Sequence, residues 1–215
     1  MYIFLNTYGF AISRPHAFRQ LLLYIIQNSY HSLTTLMLAD VLLPNALETL
    51  EFPSLSFLSL WFVQNLKHRM SVPALTTYHE GYMPKEESFP MPLPLLTEYG
   101  THGSLDSPFL NPTRLHQCYP NISRASIRCP RYLVRAALHS LSSHPTSLPM
   151  LRILAVGVPR ECSDFNREER DSMMDDVFVR NAATGVEMEL CFDGKLRAPL
   201  YFASVRFALS TVEVN

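Results

Sequence analysis

The chain has 215 residues, enough for one large domain or two small ones, and 47% of them are hydrophobic. This fraction predicts a folded core and excludes a disordered chain as a class. Eighteen Lys and Arg nearly balance nineteen Asp and Glu, for a net charge of -1. A surface without net positive charge excludes nucleic acid as the default partner.

The amino-terminal segment 1–30 is predicted to form a helix that caps the rest of the chain, residues 31–215, within a single domain overall. In "RPHAFRQLLLYIIQNSYHS", Phe18, Leu22 and Ile26 recur at helical spacing. The apolar run Leu21–Ile26 is much shorter than the ~20 residues that cross a bilayer. The amino terminus, "MYIFLNTYGFAISRPHAFRQ", has no basic region before its apolar part. Neither membrane association nor a secretory signal is expected.

A short phrase recurs along the chain. "VPALTTYHEGY" begins at Val72 and "LPLLTEYGTHG" begins at Leu93, with related phrases upstream ("YHSLTTLML", "FPSLSFLSL") and downstream ("PTRLHQCY", "LPMLRILAV"). Four of the five intervals between their anchor leucines are close to 20 residues, the short end of the leucine-rich-repeat period. The anchors are Leu33, Leu55, Leu75, Leu96, Leu115 and Leu151.

Each phrase predicts a short strand whose alternate side chains point to one interior. Because one such strand cannot bury its apolar face alone, neighbouring phrases are expected to stack in parallel. The segments between them, such as "PNALETLEF", "FVQNLKHRM" and "CPRYLVRAALHSLSSHP", are predicted to return as helices, and the proline-rich ones as coils. The predicted fold is α/β, an irregular leucine-rich-repeat-like solenoid of about six parallel strands with helices or coils on its convex side. The alternatives are an ordinary Leu-rich α/β domain and a mis-predicted reading frame.

The carboxy-terminal part has a different pattern. "FNREERDSMMDDVFVRNAATG" predicts a helix that stops at Gly185. "VEMELCF" alternates apolar and polar residues and predicts a strand at a sheet edge. The segment Asp171–Phe192 is therefore expected to close the solenoid, while 201–209 is compatible with either a strand or a helix.

The six phrases together with "VRNAATGVEMEL" resemble the leucine-rich half of fungal F-box proteins, over roughly residues 30 to 192. The resemblance implies a curved solenoid that holds a target protein. In that family an F-box attaches the solenoid to a Skp-type adaptor and a cullin ubiquitin ligase. No "LP-x-E-I/L" opening of an F-box precedes the first phrase, so ligase subunits are expected as partners only if an F-box is encoded upstream. The chain is interpreted as a fragment, a truncated form or a free-standing repeat scaffold.

Catalytic and cofactor motifs are missing from the sequence. It contains no G-x-S-x-G, no phosphate loop, no G-x-G-x-x-G and no H-E-x-x-H. The four cysteines form no C-x-x-C pair, so neither a metal nor another cofactor is predicted. Reduced thiols in an intracellular protein, cytoplasmic or nuclear, are the expectation. An enzyme is not expected, although a small Leu-rich α/β enzyme with an unrecognised site is the alternative.

The predicted function is a non-enzymatic protein-interaction module whose protein client is unknown. Side chains that alternate with the inward leucines should face outward on the concave sheet, where aromatic anchors in a polar frame suit an interface. The alternative is that they are ordinary surface residues or are covered by helices. The predicted partner-binding residues are Phe57, Trp61, Thr77, His79, Glu98, Gln117 and Tyr119.

Overall fold

The computed structural model describes residues 2–6, 20, 24, 26–39, 50–61, 70–81, 92–102, 112–128, 148–157, 168, 169, 171, 172, 175 and 187–191. The strands are β1 (Tyr2–Asn6), β2 (Thr35–Ala39), β3 (Leu50–Glu51), β4 (Phe57–Trp61), β5 (Met70–Ser71), β6 (Thr77–Gly81), β7 (Glu98–His102), β8 (Arg124–Arg128), β9 (Ile153–Gly157) and β10 (Glu187–Cys191). The helices whose bounds are described are a 3₁₀ turn, Tyr30–Ser32, and α1 (Pro112–Cys118). Residues 20, 24 and 26–29 are also helical, and so are residues 168, 169, 171, 172 and 175, which lie in the segment where a carboxy-terminal helix was predicted.

Eight of the strands form one parallel sheet in the order β1-β2-β4-β6-β7-β8-β9-β10, and β3 pairs with β5 in a second, two-stranded sheet. The large sheet is in register, so that Leu58 pairs with Tyr78 and Tyr78 pairs with Tyr99. The predicted α/β class with a parallel sheet is confirmed, and the strands that follow Leu55, Leu75 and Leu96 are neighbours as predicted.

In the strands of the large sheet whose side chains are described, β2, β4 and β6 to β9, the second and fourth residues point into the core. Leu36, Leu58, Tyr78 and Tyr99 are each 0% exposed. The anchor positions before the strands are buried as well, and Leu33, Leu55 and Leu96 are also fully buried. The core is therefore a stack of side chains, one layer from each strand, as expected when neighbouring strands share a single apolar interior.

A proline turn introduces the strands that carry the repeated phrase. In the phrase apolar-Pro-x-Leu, the amide of the leucine donates to the carbonyl of the apolar residue, as from Leu75 to Val72 (3.1 Å) and from Leu96 to Leu93 (3.2 Å). Proline presets the backbone angle at the second position of such a turn. Both ends of these two turns are buried, so the turn anchors the chain in the core directly before β6 and β7 begin.

The prediction of a fifth strand anchored at Leu115 is wrong. "PTRLHQC" forms helix α1, for which Pro112 is a favourable first residue. Strand β8 begins nine residues after Leu115 and follows "YPNI", in which Ile122, 1% exposed, takes the anchor position. Asn121 Nδ2 donates to the carbonyl of Pro94 at 2.7 Å and ties this turn to the preceding one. The phrase is thus present in this layer, with isoleucine in place of leucine.

The amino-terminal segment only partly matches the predicted helical cap, whereas the last strand lies where it is predicted. Residues 1–30 were predicted as a helical cap, and residues 26–29 are helical, but Tyr2–Asn6 is strand β1. The reason is that β1 pairs in register with β2 and so satisfies one backbone edge of that strand. At the other end β10 pairs with β9 and is the last strand of the sheet, at the edge where the sequence predicted it.

The predicted return segments are described only in part. Leu50–Glu51, at the end of the predicted helix "PNALETLEF", is strand β3, and Met70, at the end of "FVQNLKHRM", begins strand β5. At both positions the backbone pairs with the other short strand, so it is not helical there. Residues 62–69, 129–145 and 201–209 lie outside the described residues. In the part of the chain that is described, no helix combines the length and apolar character needed to cross a membrane.

A row of hydroxyl side chains links the strand entries. Ser56 Oγ donates to the carbonyl of Thr34 (3.2 Å), Thr76 Oγ1 to that of Ser56 (3.0 Å), and Thr97 Oγ1 to that of Thr76 (3.3 Å). Ser123 Oγ continues the row to the carbonyl of Thr97 (3.2 Å). Each of these carbonyls also accepts backbone amides of the next layer, so the hydroxyls reinforce contacts that the backbone already makes.

Replacing Thr76 with alanine is expected to cost little stability. Thr76 is exposed and its hydroxyl donates one hydrogen bond, whose loss should lower the free energy of unfolding by no more than about 1.5 kcal/mol. Urea denaturation measures the change, and Thr76→Ser, which retains the hydroxyl, is the control. A loss as large as that of a buried leucine truncation would contradict a merely reinforcing role for the row.

Candidate partner-binding face

In strands β2, β4 and β6 to β9, the first, third and fifth residues form the side of the sheet opposite the core, which we call the outer face. Its third-position residues Ser59, His79 and Ala155 are buried. Register places Phe57, Thr77, Glu98 and Arg124 side by side on four neighbouring strands. All four are half-buried, unlike the inward residues between them. The first-position residues of the outer face thus form a row of aromatic, hydroxyl and charged groups, one on each strand.

The structure brings five of the seven predicted residues together on this face. Phe57, Thr77 and Glu98 occupy the first strand position, His79 occupies the third position and Trp61 the fifth. The rings of Phe57 and His79 meet edge to face, with 5.5 Å between their centroids. His79 is buried rather than displayed, being only 4% exposed.

The other two predicted residues, Gln117 and Tyr119, do not belong to the outer face. Gln117 is an exposed residue of α1. Tyr119 is 6% exposed and packs on the core tyrosines, with 5.2 Å between its ring centroid and that of Tyr99. Both were misplaced because the fifth strand was expected at Leu115 instead of after Ile122.

Arg124 and Ser126 are the β8 residues that occupy the outer positions expected for Gln117 and Tyr119, and neither is among the predicted residues. Arg124 pairs with Glu98 in register and Ser126 pairs with Gly100. The signal that could have found them is "YPNISRASI", which repeats the apolar-Pro-x-apolar phrase before an alternating strand.

Two rings of the outer face, those of Trp61 and His79, pack against glycines of the next strand. The indole of Trp61 covers Gly81 so closely that a Cβ there would overlap it, and Trp61 Nε1 donates to Ser59 Oγ at 3.1 Å. The imidazole of His79 lies against Gly100, where a Cβ would come within 3.0 Å of its Cδ2. These glycines are needed because the absence of a side chain lets the rings lie flat along the sheet.

The charged centre of the face lies across β6, β7 and β8. His79 Nε2 is 3.5 Å from Glu98 Oε1, and Arg124 is the register neighbour of Glu98 on the other side. The neighbouring imidazole of His79 and, to a smaller extent, the charge of Arg124 hold the pKa of Glu98 below its usual value, while burial opposes this shift. Glu98 therefore stays a carboxylate at neutral pH, and its side chain is 24% exposed.

A second carboxylate, Glu80, points to the core instead. It occupies the inward position that Leu60 holds in the preceding strand, and it is 6% exposed. Tyr78 donates its hydroxyl to Glu80 Oε2 at 2.6 Å, and Tyr99 donates to the other oxygen, Oε1. Two phenols therefore satisfy the carboxylate that replaces a leucine in the stack.

Alkaline pH should destabilise the fold through these two tyrosines. Burial and, after it, the charge of Glu80 raise the pKa values of Tyr78 and Tyr99 well above 10.0. Above about pH 10 the unfolded chain loses phenolic protons that the folded chain retains, so the free energy of unfolding falls as pH rises towards the folded-state pKa values. Urea denaturation between pH 8 and 11 should show this fall. A Tyr78→Phe/Tyr99→Phe protein should show a shallower slope, and equal slopes would contradict the shifts.

No group of three or more His, Cys, Asp or Glu side chains that could hold a metal ion comes together in the described segments. What these residues do offer is a row of half-buried side chains with aromatic groups at β4 and charged groups at β7 and β8. Such an arrangement can bind by stacking, apolar contact and ion pairing. Comparison with protein-family models, with curated proteins and with solved structures finds no match to this chain.

Proposed function

We propose that this chain is a non-enzymatic protein-interaction module, an irregular leucine-rich-repeat-like solenoid that binds a protein client through its outer face. The observation that carries the proposal is the half-buried row across six neighbouring strands. Its members are Thr35, Phe57, Thr77, Glu98, Arg124 and Ile153.

Rigidity is the physical reason that this row suits binding. The strands that present the side chains are fixed by an in-register sheet, and the rings of Trp61 and His79 lie against Gly81 and Gly100. Side chains that are ordered before binding lose less conformational entropy when a partner arrives. Trp and Arg are also the residue types that carry a large share of binding energy at interfaces.

The experiment is an affinity purification from cell extract with the wild-type protein and with a Phe57→Ala/Trp61→Ala variant. Gln117→Ala is the matched control, because Gln117 is exposed but lies on α1. Proteins retained through the outer face should be lost from the double variant and kept by the control, with circular dichroism showing that both variants are folded. Equal recovery from all three proteins would contradict the proposal.

The resemblance to F-box proteins extends the proposal conditionally. If the coding sequence continues in frame upstream of Met1 and encodes an F-box, the outer face becomes the substrate-recognition surface of a ubiquitin-ligase adaptor. If it does not, the module is a repeat scaffold with an unknown client. Sequencing the transcript from its 5′ end separates the two.

We also place the protein inside the cell, in the cytoplasm or nucleus, with reduced cysteines. Cys118 carries a free thiol, which agrees with this placement. Alkylation of protein freshly extracted under native redox conditions should label the thiol of Cys118. Recovery of Cys118 in a disulfide would argue for an oxidising compartment.

A further inference from the structure

The layers of the large sheet are joined by backbone contacts that are alike from one layer to the next. The amide of Thr77 donates to the layer before it at 3.0 Å, that of Glu98 at 3.1 Å and that of Arg124 at 3.0 Å. Contacts of the same kind in every layer do not decide which strand docks beside which, and repeat proteins misassemble by exchanging like elements. The choice of neighbour therefore needs a side chain that differs between layers.

Glu80, on β6, is such a side chain. Among the inward residues that the structure describes in the large sheet, Glu80 alone carries a charge, and it is 6% exposed. One of its oxygens accepts from Tyr78 at 2.6 Å, and the other accepts from Tyr99. Tyr78 belongs to β6 itself and accompanies Glu80 whichever strand docks there. Tyr99 belongs to β7 and is present only when β7 is the neighbour.

The neighbouring strands have no phenol at the position of Tyr99. Tyr99 pairs in register with Tyr78, with 5.8 Å between the ring centroids. Its equivalents are Leu58 in β4, Ala125 in β8 and Leu154 in β9. Any of these strands could fill the apolar stack beside β6, but Glu80 would lose the hydrogen bond that Tyr99 supplies. Losing a donor to a buried carboxylate is costly, because water does not replace it there.

We infer that Glu80 and Tyr99, which we call the selecting pair, determine the order of the layers by accepting β7 beside β6 and disfavouring β4, β8 and β9. The pair acts on the fold and is independent of what binds the outer face. A single buried polar contact fixes register in the same way in coiled coils, where it favours one arrangement over others that pack as well.

Oxidative refolding from urea tests the selecting pair, with cysteines at the strand entries as reporters. Thr76→Cys/Thr97→Cys reports β6 beside β7, since the amide of Thr97 donates to the carbonyl of Thr76 at 2.9 Å. Thr76→Cys/Ser123→Cys reports β6 beside β8. In the native order β7 separates these two strands, so the two positions are about 10 Å apart and beyond the reach of a disulfide. Mass spectrometry of the digested protein measures both disulfides, within a chain and between copies.

Each reporter is placed in the wild-type background, in Tyr99→Phe and in the matched control Tyr78→Phe. Both variants remove one donor from the same carboxylate, but only Tyr99 lies on the neighbouring strand. The disulfide between positions 76 and 123 should increase at least about tenfold in Tyr99→Phe and stay within about twofold of wild type in Tyr78→Phe. Equal yields in the two variants would overturn the inference, because both phenols would then act only on stability.

A second variant keeps the test decisive if Tyr99→Phe does not refold. Tyr78→Phe/Glu80→Leu/Tyr99→Phe removes the selecting pair without leaving a buried charge, so it should fold and should also raise the yield of the disulfide between positions 76 and 123. Circular dichroism and the disulfide between positions 76 and 97 show that the sheet has formed. A folded triple variant that forms no more of the non-native disulfide than wild type would overturn the inference.

Discussion

Replacing Leu58 with alanine is expected to lower the free energy of unfolding by ~2–5 kcal/mol, the usual cost of truncating a buried leucine. Leu58 is 0% exposed and lies in register between Leu36 and Tyr78 in the core stack. The truncation leaves a cavity between two layers that are each fixed by the backbone ladder, so the neighbours can collapse into it only partly. Urea denaturation followed by circular dichroism measures the loss.

The matched control is Leu95→Ala. Leu95 lies in a proline turn and is 55% exposed, so its truncation should change stability by no more than about 0.5 kcal/mol. A denaturation midpoint that Leu58→Ala leaves unchanged would place Leu58 at the surface and would invert the two sides of the sheet.

A Tyr78→Phe/Tyr99→Phe protein is expected to lose about 3–6 kcal/mol. Each phenol donates a hydrogen bond to a buried carboxylate, and a hydrogen bond to a charged group contributes about 1.5–3 kcal/mol. The double substitution removes two hydroxyls but little apolar volume. The loss would therefore come from Glu80, which would be left as a buried charge without these two donors.

Adding Glu80→Leu to that variant separates this cause from a general disturbance of the core. Buried charge clusters can often be replaced by apolar residues of similar volume without loss of stability. The triple variant restores the leucine that Leu60 supplies in the neighbouring layer, so it should recover most of the lost stability. A triple variant no more stable than the double one would mean that the phenols act through packing alone.

The parallel sheet could be predicted from the sequence because its cause is local and repeated. Leu55, Leu75 and Leu96 each follow a proline by two residues and precede an alternating strand. The layer at β8 could not be found with leucine as the only anchor. Ile122 fills the same buried position, while "PTRLHQC" has a leucine at the expected interval and forms a helix.

The residues of the candidate site could be predicted only on those strands whose positions in the sequence were predicted correctly. Phe57, Thr77 and Glu98 share a row because their strands follow the expected phrase. The contacts of Trp61 with Gly81 and of His79 with Gly100 join residues about 20 positions apart in the chain. No pattern within one phrase shows them, because each depends on which residues stand opposite in the neighbouring strand.

Disulfide mapping tests most directly the register that aligns the outer face. Thr77 and Glu98 are register partners on adjacent strands, at a spacing that a disulfide can bridge. Thr77 and His102 are four residues out of register, roughly 13 Å along the strand, which is beyond its reach. Mild oxidation should therefore close the bond in the Thr77→Cys/Glu98→Cys protein and leave the Thr77→Cys/His102→Cys protein unlinked, as read by mass spectrometry of the digested chains. A bond that forms in the second protein and not in the first would contradict the register, and with it the binding face.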